Sequence, residues 1–67
     1  MFAVEWLAHG SLVDKEISVS VEQSEVIARA KARAPDMAKR HPGREPDTFR
    51  LKDPAGNIVG VFPVGIW

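Results

Sequence analysis

The sequence contains no cysteine, no long apolar run and no excess of either charge. Without cysteine, the chain can form neither disulfides nor thiolate metal sites, which stabilise many short proteins. No segment approaches the roughly 18 consecutive apolar residues of a membrane-spanning helix. Nine basic side chains balance nine acidic ones, so no overall field attracts the chain to nucleic acid or anionic lipid. Such a partner would need a local patch.

The length of 67 residues indicates one small domain covering 1–67. A chain of this size buries only about 60% of the surface that it exposes when unfolded, so its stability is marginal. With disulfides excluded, association with a second copy is the remaining common means of stabilisation. We therefore expect a homodimer.

The first residues lack the features of an export signal. Met1 to Val4 include no basic residue, and Glu5 interrupts the apolar stretch. Together with the absence of an apolar span, this predicts a cytoplasmic protein that does not enter the membrane.

The clearest local pattern is a β-hairpin over 49–62. Two alternating segments flank a turn in which Asp53 can bond nearby backbone, Pro54 presets φ near −65°, and Gly56 supplies a positive φ. This pattern predicts a type I turn with a bulge between two strands, with Phe49 and Leu51 facing the core.

The first twenty residues also alternate with period two, which is typical of strands. Phe2, Val4 and Trp6 mark a first strand whose odd positions are less apolar, and a turn follows over 8–11. A second strand begins at Leu12 and ends in the alternating run 16–21.

An amphipathic helix is predicted from Val21 to Arg40. Ser20 and Gln23 have the spacing of a capping box, which would start the helix near Val21. Pro35 predicts either a kink or a restart of the helix. At 100° per residue one face carries the apolar residues Val26, Ile27, Ala30, Ala34, Met37 and Ala38.

These elements predict an α+β fold in the order β-β-α-β-β, with an antiparallel sheet packed on one helix. The bends available at Gly60, Pro63 and Gly65 leave two arrangements open for the last strand. It either returns to its own sheet or is exchanged with a second subunit.

No arrangement of residues predicts catalysis, a cofactor or a metal. His9 and His41 are far apart in the sequence and belong to no ligand pair with helical spacing. The serines have no nucleophile motif. Glu5 is either an exposed rim carboxylate or a partly buried one with a raised pKa. We therefore expect a protein that is not an enzyme.

A second function class is suggested by Arg29, Arg33 and Arg40, which lie on one side of the predicted helix. Such a stripe could contact anions or the phosphate backbone of nucleic acid. Acidic residues at helical spacing, Glu25 and Asp36, favour surface ion pairs instead.

The C-terminal segment 61–67 is apolar to its final residue. An apolar segment of this kind predicts docking on its own sheet or on a second subunit. The residues predicted to form a subunit contact are Trp6, Phe62, Ile66 and Trp67.

Two resemblances are carried by these motifs. The turn 53–57 resembles the D-P-x-G-N turn of glyoxalase and bleomycin-resistance (vicinal oxygen chelate) modules. The match covers five residues, and Val59 and Gly60 stand where that family's metal-binding glutamate is expected, so it implies no metal chemistry here. From Val4 to Pro63 the pattern is similar to short uncharacterised bacterial α+β proteins, which implies the fold and no activity.

The sequence therefore predicts a non-catalytic homodimeric interaction or regulatory module, with an unidentified protein as a further partner. Nucleic-acid binding through the arginine stripe is the alternative.

Overall fold

A four-stranded antiparallel sheet with one helix across one face makes up the fold, which confirms the predicted α+β class and β-β-α-β-β order. The computed structural model describes residues 1–64, so the predicted contacts of Ile66 and Trp67 lie outside the described residues. The elements are β1 (Phe2–Ala8), β2 (Ser11–Ser18), α1 (Gln23–Arg40), β3 (Thr48–Lys52) and β4 (Ile58–Pro63).

The strand order in the sheet is β2-β1-β3-β4, so β2 and β4 form its two edges. The first hairpin turns at His9 and Gly10, both with positive φ, as a tight turn between twisted strands requires. Asp47 fixes this turn from the other half of the chain, because its carboxylate accepts a hydrogen bond from the His9 backbone N–H at 2.9 Å.

The second hairpin has the predicted turn. Gly56 adopts a φ of 90°, and its N–H donates to the carbonyl of Asp53 at 2.9 Å. The Asp53 carboxylate accepts a further bond from the Asn57 N–H at 2.8 Å. The register shifts between Leu51 and Lys52, which is the expected bulge.

The helix differs from its prediction at the start and agrees with it along its length. It begins at Gln23 with Glu22 as N-cap, and no side chain caps it, so the predicted capping box is wrong. The Ser20 hydroxyl instead accepts a bond from the Glu22 N–H and donates to the Glu25 carboxylate. Pro35 lies inside one continuous helix, so the predicted restart does not occur.

The core lies between α1 and the two central strands. Trp6 on β1 and Phe49 on β3 are fully buried, with ring centroids 5.3 Å apart. Phe62 on β4 stacks on Phe49 at 5.1 Å and is half-buried. The helix contributes its predicted apolar stripe, of which the buried residues are Val26, Ala30, Ala34 and Met37.

Gly60 allows the Phe62 ring to fold back over β4. A Cβ added to Gly60 would lie 2.7 Å from one ring carbon of Phe62 and 2.9 Å from another. Because real Cβ atoms do not approach so closely, any larger residue would force the ring away from Phe49.

We predict that Gly60→Ala destabilises the protein by about 1 to 2 kcal/mol, the usual effect of overpacking. A loss of stability would be informative, since replacing glycine by alanine within a strand normally stabilises the strand. Urea unfolding measures the change. In a Phe62→Leu background the same substitution should be neutral or stabilising, and equal destabilisation in both backgrounds would contradict the proposed contact.

Candidate functional site

One face of the sheet carries no helix, and we call it the open face. Residues paired across strands point to the same side of a sheet. Trp6 points towards α1, so its neighbour Glu5 points to the open face. The partners of Glu5 are Lys15 on β2 and Arg50 on β3.

Glu5 is a buried charge at the centre of the open face, with only 5% of its surface exposed. Arg50 donates from Nε to Oε1, and Lys52 Nζ lies 3.4 Å from Oε2. Burial alone would raise the pKa of Glu5, but hydrogen bonds and positive charge from Arg50 and Lys52 outweigh it and leave the pKa below its ordinary value. Both sequence-based interpretations of Glu5, the exposed rim carboxylate and the raised pKa, are therefore wrong.

This arrangement makes Glu5 a structural anion rather than a proton donor. Its cluster with Lys15, Arg50 and Lys52 contains three basic groups and one acidic group, so the centre of the open face is positively charged.

Exposed aliphatic side chains surround this charged centre. Their strand partners place them on the open face, where Ile17 pairs with Ala3 and Val61 pairs with Arg50. The exposed aliphatic residues of this face are Leu12, Ile17, Ile58 and Val61.

The two edges of the sheet differ in charge. Strand β4 has the sequence IVGVFP and carries no charged side chain. Strand β2 carries Asp14, Lys15 and Glu16 in its middle. Charged residues on an edge strand oppose pairing with another strand, and β4 lacks this protection.

A cleft of about 230 Å³ lies between α1 and β2. It has an apolar floor and a polar mouth. The residues lining it are Val4, Glu16, Ile17, Ser18, Val19, Val26, Arg29, Ala30 and Arg33.

Glu16 lies at one end of the cleft, and its carboxylate connects β2 with β1 and α1. Its Oε1 accepts bonds from Trp6 Nε1 at 3.2 Å and Arg33 Nε at 3.0 Å. Its Oε2 lies 2.7 Å from a terminal nitrogen of Arg33. The edge strand, a central strand and the helix therefore meet at one carboxylate.

A second ion pair joins the end of α1 to β2. His41 Nε2 lies 3.1 Å from the Asp14 carboxylate. The hydrogen bond with His41, followed by one from the Lys15 backbone N–H, lowers the pKa of Asp14. The C-terminal half of α1 and the middle of β2 are therefore joined by two ion pairs, Asp14 with His41 and Glu16 with Arg33.

The three arginines predicted to contact anions all have acidic neighbours. Arg29 pairs with Glu25 at 2.8 Å, and Arg33 is held by Glu16. Arg40 lies close enough to Asp14 to help lower its pKa. Of the ion pairs expected at helical spacing, Glu25 with Arg29 is confirmed. Arg33 pairs with Glu16 of β2 rather than with Asp36, which sequence patterns did not predict because Glu16 and Arg33 are distant in sequence.

The fold places the residues of the predicted subunit contact in different environments. Trp6 is completely buried, so its side chain offers no surface to a partner. Phe62 is half-buried on the edge strand, and its role in a contact stays a prediction. No local pattern in the sequence predicts the cleft, because Glu16 and Arg33 are separated by 17 positions.

Within residues 1–64, no group of three or more candidate ligands could hold a metal ion. No helix in the described part of the chain has the length and apolar character needed to cross a membrane. Comparison with protein-family models, curated protein sequences and solved structures gave no match. Functional inference therefore depends on the geometry of this chain.

We predict that Glu5→Gln destabilises the protein by about 2 kcal/mol at pH 7, since hydrogen bonds to charged groups are the stronger ones. The folded-state pKa lies below the ordinary 4.5. The carboxylate therefore stabilises the fold above that value, and the contribution is lost as the pH falls through the folded pKa.

Thermal unfolding from pH 7 to pH 2 measures this effect. The difference in melting temperature between the wild-type protein and Glu5→Gln should decrease in acid. Glu22→Gln is the matched control, because Glu22 is exposed and makes no side-chain capping bond. A difference in melting temperature between wild type and Glu5→Gln that stays constant down to pH 2 would contradict the prediction.

Proposed function

We propose that this protein is a non-catalytic interaction module that acts as a homodimer, with two copies joined along the edge strand β4. The observation that carries the proposal is an uncharged edge strand with exposed Ile58, Val59 and Val61. Backbone N–H and C=O groups on such an edge are a template for another strand.

A second copy is the partner that this edge fits most simply. Antiparallel pairing of β4 with its own copy places the same strand on both sides of a twofold axis, so the surface is its own complement. The chain is short and has no disulfide, so a larger shared sheet would add burial that it cannot obtain alone.

The charge distribution favours edge pairing over stacking of the open faces. Stacking two open faces would bring together two clusters of Glu5, Lys15, Arg50 and Lys52, each with net positive charge, and would remove them from water. Pairing along β4 leaves Lys15 and its neighbours on β2 at the far edge of the sheet.

The arginine stripe supports nucleic-acid binding less well. Glu25, Glu16 and Asp14 lie among the three arginines, so the helix offers alternating charges rather than the continuous positive surface that a phosphate backbone contacts. We therefore keep the dimer as the proposed function.

The test is the molar mass in solution, measured by light scattering from micromolar to millimolar concentration. We expect about twice the chain mass of 7.4 kDa. Val61→Lys should shift the protein to the monomer mass, because a charged side chain on an edge strand opposes pairing with another strand.

Val21→Lys is the matched control, since Val21 is 81% exposed, against 61% for Val61, and lies outside the sheet. It should leave the mass unchanged. Val61→Glu repeats the test with a charge that Arg50, its strand partner, can accommodate in the monomer. A wild-type monomer at every concentration, or dimers of both Val61 variants, would overturn the proposal.

A further inference from the structure

The cleft between α1 and β2 is a second surface, at the opposite edge from β4. We propose that it binds an extended peptide segment, which adds as a strand to the outer edge of β2. The segment would place an apolar side chain in the cleft and a carboxylate two residues away on the same face. This proposal does not depend on the dimer.

The strand wall of the cleft is suited to pairing with a peptide. Ile17, Ser18 and Val19 line it and carry no charge, and Glu16, the charged residue of β2 that also lines the cleft, is paired with Arg33. Within residues 1–64, β2 pairs only with β1. Its outer backbone groups can therefore receive an added strand beside the cleft.

The size and lining of the cleft fit a single apolar side chain. Val4, Val26 and Ala30 form an apolar floor, and the volume is about 230 Å³. Pockets for drug-sized ligands are larger, about 300 to 1,000 Å³. In strand addition, pockets beside the edge accept alternate side chains of the peptide, which matches a small pocket next to a strand.

The arginines on the helix side of the cleft are the reason that the proposed peptide carries a carboxylate. Arg29 and Arg33 are four residues apart, which corresponds to a rise of about 6 Å along a helix. Alternate residues of a strand are separated by a similar distance, about 6.6 to 6.8 Å. Alternate residues of a strand also point to the same side, so a carboxylate two residues from the apolar anchor lies on the side of the cleft that Arg29 and Arg33 line.

Both arginines keep donors for this contact. Glu16 engages two nitrogens of Arg33, and Glu25 engages one of Arg29. A guanidinium carries five N–H donors, so each can bind a further carboxylate without losing its partner. Arg29 is the more accessible, with 61% of its side chain exposed.

The test uses a defined peptide, acetyl-Thr-Asp-Thr-Leu-Thr-Asp-Thr-amide, added to isotopically labelled protein in two-dimensional amide NMR. Shift changes should be concentrated on Ile17, Ser18 and Val19 and on the helix at Arg29 and Arg33. The same peptide with lysine in place of aspartate should bind at least tenfold more weakly.

A third peptide separates strand addition from capture of a side chain. Replacing the two threonines that flank the leucine by proline removes their backbone N–H donors, prevents a regular strand there and should abolish binding. Equal binding of the proline peptide, or shifts produced equally by 4-methylpentanoate alone, would assign the cleft to a small carboxylate and overturn the proposal. Shifts confined to β4, or no shifts at millimolar peptide, would also overturn it.

Substitutions on the helix provide an independent arm. Arg29→Glu should weaken peptide binding at least tenfold. Lys39→Glu makes the same change of charge on the same helix, away from the cleft, and should change affinity less than twofold. An equal loss of peptide affinity in Arg29→Glu and Lys39→Glu would indicate general charge attraction and overturn the proposed contact with Arg29. The peptide comparisons on wild-type protein decide the question even if Arg29→Glu fails to fold.

Discussion

The burial of the Trp6 indole at the centre of the sheet sets the main constraint on this fold. An indole N–H that is removed from water needs an acceptor, and Glu16 on the edge strand supplies it. A carboxylate in that place needs a cation in turn, and Arg33 from the helix provides it with two nitrogens. One polar requirement in the core therefore fixes the position of α1 relative to β2 and defines one end of the cleft.

The remaining surfaces follow from covering four strands with one helix. Four strands about 4.8 Å apart are wider than a helix about 10 Å in diameter. Ala30 and Ala34 let α1 approach the central strands closely, and within residues 1–64 the two central strands are more deeply buried than the two edge strands. The aromatic stack through Phe49 fills the β4 side, where Gly60 makes room for Phe62. The β2 side has no comparable ring, so the cleft remains there.

The sequence predicted the elements governed by nearby residues and missed those governed by distant ones. The turn at Asp53 and Gly56 is local chemistry, and the apolar stripe of α1 is a periodic pattern, so both were predicted correctly. The capping box does not form because the Ser20 hydroxyl accepts a hydrogen bond from the Glu22 backbone N–H, and the helix begins two residues later than predicted. Glu5 was misjudged because its partner Arg50 is 45 positions away, and no local pattern encodes a cross-strand ion pair.

The chemistry of the two edges argues that they have different partners. Strand β4 presents backbone and uncharged apolar groups, so it can distinguish partners by shape and register but not by charge, and a second copy satisfies shape and register by symmetry. Beside β2, Arg29 and Arg33 add charge to the backbone groups, and Asp14 and Glu16 restrict pairing to the uncharged end of the strand. An edge that combines backbone pairing, a pocket and charge can select one extended sequence among many. On these grounds we propose β4 as the edge for assembly and β2 as the edge for recognition.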